Sequence, residues 1–194
     1  LNDGLRIDPY YAPLYFYKGI TYKLQDQRER AISSFQTAVE QDPEYFDAYL
    51  ELGLLLSEQK NTLAEQYLSN ALKVKPDNRD ALYALAMFYQ EQQRFEAAKE
   101  KYRELIVLNP QAEDPNYNLG WIYVQQDSLA NAEKAFQTTV QVAPTGPRAY
   151  YMLGLLAEEK GEWLEAKNYY QQSLNLAPEF EKAQERIEIV SKQL

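Results

Sequence analysis

The sequence predicts an all-α fold: an α-solenoid, here a right-handed superhelix of about five helix–turn–helix repeats that ends in a C-terminal capping helix. The first observation is a proline that returns every 33 or 34 residues, at Pro9, Pro43, Pro76, Pro110, Pro144 and Pro178. The second is a set of small residues that keep step with these prolines. The third is helical periodicity, since apolar residues recur at i, i+3, i+4 and i+7, as in Tyr49, Leu52, Gly53 and Leu56.

The small residues occupy two phases, one in each helix of the repeat. In the first helix they let a neighbouring helix approach closely, and they are Gly19, Gly53, Ala86, Gly120 and Gly154. In the second helix the phase is held by Ala31, Ala64, Ala98, Ala132 and Ala166. A bulky residue four positions further on is expected to fill the space beside each alanine: Phe35, Leu68, Tyr102, Phe136 and Tyr170.

Residues that favour turns separate the two helices of a repeat, at Asp26, Asn61, Asp127 and Gly161. Each recurring proline ends the second helix, because proline lacks an N–H and clashes with the preceding turn. It also fits the first turn of the next helix. No segment shows sustained two-residue alternation, so we expect essentially no strand.

This pattern resembles the tetratricopeptide repeat, whose signature places W-x2-L-G-x2-Y before A-x3-F and then a proline. The resemblance implies five copies, at 12–45, 46–78, 79–112, 113–146 and 147–180. Tyr or Leu replaces the signature Trp, and Asn116 departs further in the fourth copy. The second copy is one residue short before Ala64, and Leu105 of the third copy stands where a small residue is usual.

The two ends of the chain are predicted to play different parts. Residues 1–11 match the phase of a second helix and are expected to be the remnant of a truncated upstream repeat. Residues 181–194 are expected to form the capping helix, because charged residues surround one apolar stripe of Ala183, Ile187, Val190 and Leu194. Such a polar-backed helix stops the last repeat from exposing apolar surface.

Composition narrows the function before any site is considered. The net charge of -9 repels nucleic acid, and no basic stripe overrides it. The absence of Cys and His excludes thiolate and imidazole chemistry and the common metal knuckles, so we expect no metal, no cofactor and no catalysis. No apolar run is long enough to insert into a membrane. A Cys-free chain fits the cytoplasm and the bacterial periplasm equally.

The resemblance also implies where a partner binds, since the first helix of each repeat lines the concave groove of such solenoids. The fifth position of the repeat reads Phe16, Leu50, Tyr83, Tyr117 and Tyr151. The ninth position reads Ile20, Leu54, Met87, Trp121 and Leu155, and the sixth position of the fourth copy is Asn118. These residues are either a binding ladder or helix-packing core; Tyr and Trp favour the first interpretation because they are enriched in binding hot spots, whereas apolar stripes favour the second.

Charged residues flank this ladder and form its predicted rim: Asp47, Glu51, Asp80, Asp114 and Arg148. The carboxylates would select a peptide that is apolar with basic flanks, or they simply solvate the helices and favour their N-terminal dipoles. The residues of a clamp for acidic C-termini are not in place, because Tyr83 and Met87 stand where such a clamp uses Lys and Asn. The alternatives to partner binding are self-assembly into a homo-oligomer and, more remotely, glycan binding.

Overall fold

The structure is a computed structural model that describes residues 11–194. Within that range the chain is all α-helix, without strands, as the sequence predicts. The eleven helices of this range are α1 (Ala12–Leu24), α2 (Arg28–Gln41), α3 (Phe46–Glu58), α4 (Leu63–Val74), α5 (Arg79–Glu91), α6 (Phe95–Leu108), α7 (Glu113–Gln125), α8 (Leu129–Val142), α9 (Pro147–Glu159), α10 (Trp163–Leu176) and α11 (Glu181–Val190). The predicted remnant helix over 1–11 falls almost wholly outside the described residues.

The chain divides into two compact units, Leu1–Lys101 and Tyr102–Leu194, which we call the N-terminal unit and the C-terminal unit. The boundary lies within α6. In each unit, consecutive helices pack as antiparallel hairpins, and the second helix of one hairpin packs against the first helix of the next. This arrangement is that of an α-solenoid, in which each hairpin buries its apolar face on its neighbours.

In the N-terminal unit, the small residues of the first helices lie directly against the bulky residues of the second helices. A Cβ atom added to Gly19 would lie 2.5 Å from the ring of Phe35, and one added to Gly53 would lie 2.4 Å from Leu68. Phe35 and Leu68 are fully buried. The glycines therefore set how closely α1 approaches α2 and α3 approaches α4, which is the role the sequence pattern predicts.

In the C-terminal unit, two apolar clusters hold the helices together. One contains Ala132, Phe136, Ala149, Leu153 and Leu156 and joins α8 to α9. The other contains Ala157, Ala166, Tyr170 and Val190 and joins α9, α10 and α11. The hydroxyl of Ser173, fully buried on α10, donates to the Pro147 carbonyl at the start of α9 (2.9 Å), so the polar atom between these helices is satisfied.

Helix α11 covers the end of the last hairpin with Ala183 and Val190, both fully buried. The structure ends this helix at Val190. Leu194, which the sequence placed on the same apolar stripe, lies four residues beyond the helix and is 63% exposed. The stripe therefore has three members, because the chain leaves the helical path before a fourth can reach the core.

The turn inside each hairpin contains one residue with a positive φ. Asp26, Lys60, Gln93 and Asp127 have φ of 53, 54, 58 and 54°, and Gly161 has 76°. Asn61, predicted as a turn former, follows the left-handed Lys60 and its side-chain oxygen accepts from the Leu63 N–H at 3.0 Å. Left-handed backbone is unfavourable for residues with a Cβ, so four of these turns carry a local conformational cost.

Candidate partner-binding surface

The predicted ladder residues of the N-terminal unit lie on α1, α3 and α5, the first helices of its hairpins. All six are half-buried: Phe16, Ile20, Leu50, Leu54, Tyr83 and Met87. Phe16 contributes to the core as well as to the surface, since its ring lies 5.6 Å from the ring of Phe35 and 5.3 Å from that of Tyr45. The two interpretations of the ladder are therefore compatible, because one side of a residue can pack while the other remains accessible.

A cavity of about 800 Å³ lies between α3 and α5 in the N-terminal unit. Leu54, Tyr83, Ala84 and Met87 contribute to its apolar wall. This cavity brings together three predicted ladder residues and one predicted rim residue, Asp80. Phe16, Ile20, Leu50, Asp47 and Glu51 do not line it.

The charged lining of this cavity is mostly acidic, with Glu58, Asp80 and Glu91 against one cation, Lys60. Glu58 is paired with Arg28 at 3.3 Å. Asp80 and Glu91 form no ion pair with any residue between 11 and 194. Glu58 and Glu91 both occupy the thirteenth repeat position, one turn beyond the ninth on the same helices.

The N-terminal rim differs from the prediction in one respect. Glu51 is not an open carboxylate, since it accepts from the Lys23 ammonium at 2.6 Å. Asp47 is exposed and forms no salt bridge within the described residues. Of the two predicted N-terminal carboxylates with no salt-bridge partner, Asp80 alone lines the cavity.

In the C-terminal unit, the side chain of Arg148, from α9, lies against the first turns of α7. Its guanidinium carbon lies 4.6 Å from the centre of the Tyr117 ring, in a cation–π contact. Its Nη2 lies 2.7 Å from an Asp114 oxygen and 3.3 Å from a Glu113 oxygen. We call this group the Arg148 cluster: Glu113, Asp114, Tyr117 and Arg148. It brings two predicted rim residues and one ladder residue together, and Arg148 pairs with both carboxylates.

Two ladder tyrosines of the C-terminal unit, Tyr117 and Tyr151, also pack against the core. The ring of Tyr117 lies 5.5 Å from that of Phe136, and burial raises the pKa of its hydroxyl. Tyr151 lies 5.7 Å from Tyr170 and 5.0 Å from Phe180. Trp121 and Leu155 are half-buried, whereas Asn118 is buried at 9% exposure and offers little surface to a partner.

Two hydrogen-bonded networks that the sequence reasoning missed support these surfaces. In the N-terminal unit, Glu65 accepts from the Tyr89 hydroxyl at 3.0 Å and from the Arg94 guanidinium. The Arg94 hydrogen bond holds the pKa of Glu65 below its usual range, and burial together with Glu65 raises the pKa of Tyr89 to about 12. We call these three residues the Glu65 network.

In the C-terminal unit, Glu158 accepts from the Tyr170 hydroxyl at 2.7 Å and from two guanidinium nitrogens of Arg186 on α11. Tyr170 is fully buried, and this burial raises the pKa of its hydroxyl. We call these residues the Glu158 network. It ties α9, α10 and α11 together, so Glu158 has a structural role.

Residues 11–194 also lack two other kinds of site. No group of three or more Asp or Glu side chains in this range is arranged to hold a metal ion. None of its helices has the length and apolar character that crossing a bilayer requires. A second depression, of about 630 Å³, lies on α10 beside Trp163, Leu164 and Tyr169 in the C-terminal unit.

Four family models, each described as tetratricopeptide repeat, match this chain at residues 19–62, 55–105, 114–145 and 147–180. Together they cover most of its length. The chain belongs to the tetratricopeptide repeat family.

Solved structures of similar fold come from several proteins. A crystal structure of MamA protein has a TM-score of 0.78 with 24% identity, over 89% of this chain and 94% of that one. A tetratricopeptide repeat protein from Parabacteroides merdae has a TM-score of 0.81 with 21% identity, over 93% and 72%. YrrB, described as a TPR protein with an unusual peptide-binding site, has a TM-score of 0.77 with 18% identity, over 100% and 97%.

A curated relative is anaphase-promoting complex subunit 3 of Schizosaccharomyces pombe, which is 21% identical over 103 residues. The match covers 53% of this chain but only 16% of that subunit. At these identities the likeness to the solved structures shows the fold, and the function has to be argued from this chain's own surface.

Proposed function

We propose that this chain is a non-catalytic scaffold that binds an extended or helical segment of a partner protein in the groove formed by its first helices. The observation that carries the proposal is the cavity between α3 and α5, with its apolar wall and unpaired Asp80 and Glu91. A concave, mostly apolar site with a few polar groups is the usual form of a binding site. The family and the peptide-binding YrrB, which shares the fold, support the same function.

The lining predicts the chemistry of the bound segment. Leu54 and Met87 offer contacts to an apolar anchor side chain, and Tyr83 can add a ring contact. Three carboxylates against one lysine make the cavity acidic, so the segment should carry Lys or Arg beside its anchor. This is the apolar peptide with basic flanks that the sequence predicts.

The absence of catalysis is part of the proposal. An enzyme requires a nucleophile or an acid–base pair that converges on a reacting atom. The chain has no Cys or His, and the buried carboxylate of Glu158 is committed to Tyr170 and Arg186. The polar groups of the cavity suit recognition of a charged peptide.

The proposal is tested by affinity capture from source-cell lysate with three forms of the chain. Met87→Arg places a cation in the acidic, apolar cavity, where it should repel the basic partner and fill the anchor site. Leu24→Arg adds the same charge at an 84% exposed position on α1 and is the matched control. Circular dichroism establishes that both variants remain helical.

We expect one protein to be captured by the wild type and by Leu24→Arg and to be lost with Met87→Arg. Equal capture by all three forms would place binding elsewhere and contradict the proposal. Capture of nothing but a second copy of the chain would favour self-assembly, which analytical ultracentrifugation over a range of concentrations would then confirm.

A further inference from the structure

The Arg148 cluster is a complete site for a guanidinium group within the chain itself. It uses two residues of α7 that are three positions apart, Asp114 and Tyr117, so that both lie on one face of the helix. The carboxylate accepts the guanidinium N–H at 2.7 Å and the ring contacts the cation at 4.6 Å. Fork-like donors and a planar cation suit arginine to such a site better than lysine.

The same pair of residues recurs on α5, 34 positions earlier, as Asp80 and Tyr83. Both occupy the same places in the first turns of their helix, the second and fifth repeat positions. Here both line the cavity on the side of α3, in the preceding hairpin, whereas Arg148 reaches Asp114 and Tyr117 from α9, the first helix of the following hairpin. Asp80 is exposed and has no salt-bridge partner among the described residues.

Arg148 occupies the second position of its repeat, and none of the other four copies has an arginine there. In the three preceding copies that position is acidic: Asp47, Asp80 and Asp114. The α5 site also differs from its C-terminal counterpart at the first repeat position, where Arg79 replaces Glu113. Glu113 is the more distant acceptor of Arg148, at 3.3 Å, and Arg79 does not line the cavity, whereas the additional carboxylates Glu58 and Glu91 do.

We propose that the partner segment carries an arginine, next to its apolar anchor, whose guanidinium pairs with Asp80 and stacks on Tyr83 as Arg148 does on Asp114 and Tyr117. This inference rests on the proposed function and specifies which residue of the ligand is recognised. A guanidinium offers both a flat face to the ring and a fork of donors to the carboxylate. Lysine can satisfy only the charge.

The test uses a library of random twelve-residue peptides displayed on phage and selected on the wild-type chain. A selected peptide is then synthesised with its arginine, with lysine, and with citrulline, which keeps the planar shape and removes the charge. Binding is measured by calorimetry to the wild type, to Asp80→Asn, and to the matched control Asp77→Asn, which removes the same charge outside the cavity. Circular dichroism shows whether each variant keeps its helices.

We expect arginine to be enriched beside an apolar residue, and citrulline or Asp80→Asn to weaken binding by about tenfold. Lysine should bind with intermediate affinity, and Asp77→Asn should bind as the wild type does. Loss with Asp80→Asn should not add to loss with citrulline, since each removes one partner of the same contact.

Two other results separate this inference from the proposed function. One result is that the selected peptides lack arginine, or bind Asp80→Asn as tightly as the wild type, and yet do not bind Met87→Arg. This result would overturn the arginine site and leave the groove as the binding surface. No enriched peptide, or enrichment that is equal on Met87→Arg, would overturn both.

Discussion

The two units are built from the same repeat but use their charged side chains differently. In the N-terminal unit, Asp80 and Glu91 line a cavity and form no ion pair with any residue between 11 and 194, although Lys60 lines the same cavity. In the C-terminal unit, Asp114 is neutralised by Arg148, and Glu158 by Arg186. The same Asp–Tyr pair of one backbone plan therefore lines a cavity in the N-terminal unit and is covered by an arginine of the chain in the C-terminal unit.

The difference also appears in the two tyrosine–carboxylate–arginine networks. The side chain of Glu158 is 12% exposed, whereas that of Glu65 is 36% exposed. Hydrogen bonds to a carboxylate contribute more when water cannot replace them. The comparison teaches that stability contributed by ion pairs should be concentrated in the C-terminal unit, and binding in the N-terminal unit.

The largest expected effect follows from the unequal burial of these networks. Glu158→Ala should lower the free energy of unfolding by about 2–3 kcal/mol, because it leaves the Tyr170 hydroxyl and Arg186 without their acceptor. Glu65→Ala should cost only about 1 kcal/mol, since water can reach Arg94. Urea unfolding followed by tryptophan fluorescence measures the C-terminal unit alone, because Trp121 and Trp163 are the only tryptophans.

Far-ultraviolet circular dichroism of the same samples reports the helices of both units and measures the loss for Glu65→Ala, which lies in the N-terminal unit. Equal losses for the two variants would show that the burial difference has no energetic consequence.

A smaller difference is expected between two glycines. A Cβ at Gly154 would lie 2.5 Å from the Tyr170 ring, which the Glu158 network holds in place. A Cβ at Gly53 would lie 2.4 Å from the Leu68 side chain, which no hydrogen bond holds, and 3.2 Å from the Leu68 backbone nitrogen. Gly154→Ala should therefore destabilise by about 1–2 kcal/mol from overpacking. For Gly53→Ala, the gain in helix propensity of about 1 kcal/mol should offset much of the strain. Thermal unfolding measures the change in stability of both variants. A larger loss of stability for Gly53→Ala than for Gly154→Ala would contradict the rigidity assigned to the Tyr170 ring.

The Glu65 network should make part of the stability depend on pH. Since the folded state holds the pKa of Glu65 below its unfolded value, the carboxylate stabilises the fold at pH above the unfolded pKa. This contribution is lost as pH falls through the folded pKa. Wild type and Glu65→Gln should thus differ by about 1 kcal/mol or less at neutral pH and converge in acid. When Arg94→Gln is introduced, the difference between Glu65 and Glu65→Gln should no longer depend on pH. If the pH dependence persists, another titratable group causes it.

The smallest effect on stability is expected for Arg148→Ala, because this arginine is half-exposed: about 0.5 kcal/mol or less. The same change should leave Asp114 and Tyr117 without their cation and create a second site for an arginine peptide. Calorimetry with the selected peptide should then show the stoichiometry rising from one to two. An unchanged stoichiometry would break the correspondence between the Arg148 cluster and the α5 site.

The helices could be predicted from sequence because their determinants are local or periodic. Proline acts through the backbone, and small residues (glycine or alanine) act through close packing. A proline and these small residues return in every copy. The networks could not be predicted, because they depend on which side chains of neighbouring helices meet. A signal was nevertheless present: Lys23–Glu51, Glu65–Arg94 and Glu158–Arg186 are separated by 28, 29 and 28 residues, slightly less than one repeat.

The predicted site residues show why a binding surface is harder to derive than a fold. Tyr117 and Tyr83 have the same type and repeat position, but Tyr117 is covered by Arg148 while Tyr83 lines a cavity. Residue type and period do not distinguish these two environments. The distinction lies in a neighbour 31 positions after Tyr117, which can be recognised only when the helices are placed side by side.

The left-handed turns have a consequence for how such a chain can diverge. Lys60 and Gln93 adopt a backbone conformation that glycine, as at Gly161, adopts without steric cost. Replacing the left-handed residue of such a turn by glycine can raise stability without altering any helix face. A lineage can therefore change its groove residues, accept the resulting loss, and restore it in the turns, so that specificity and robustness evolve at separate positions.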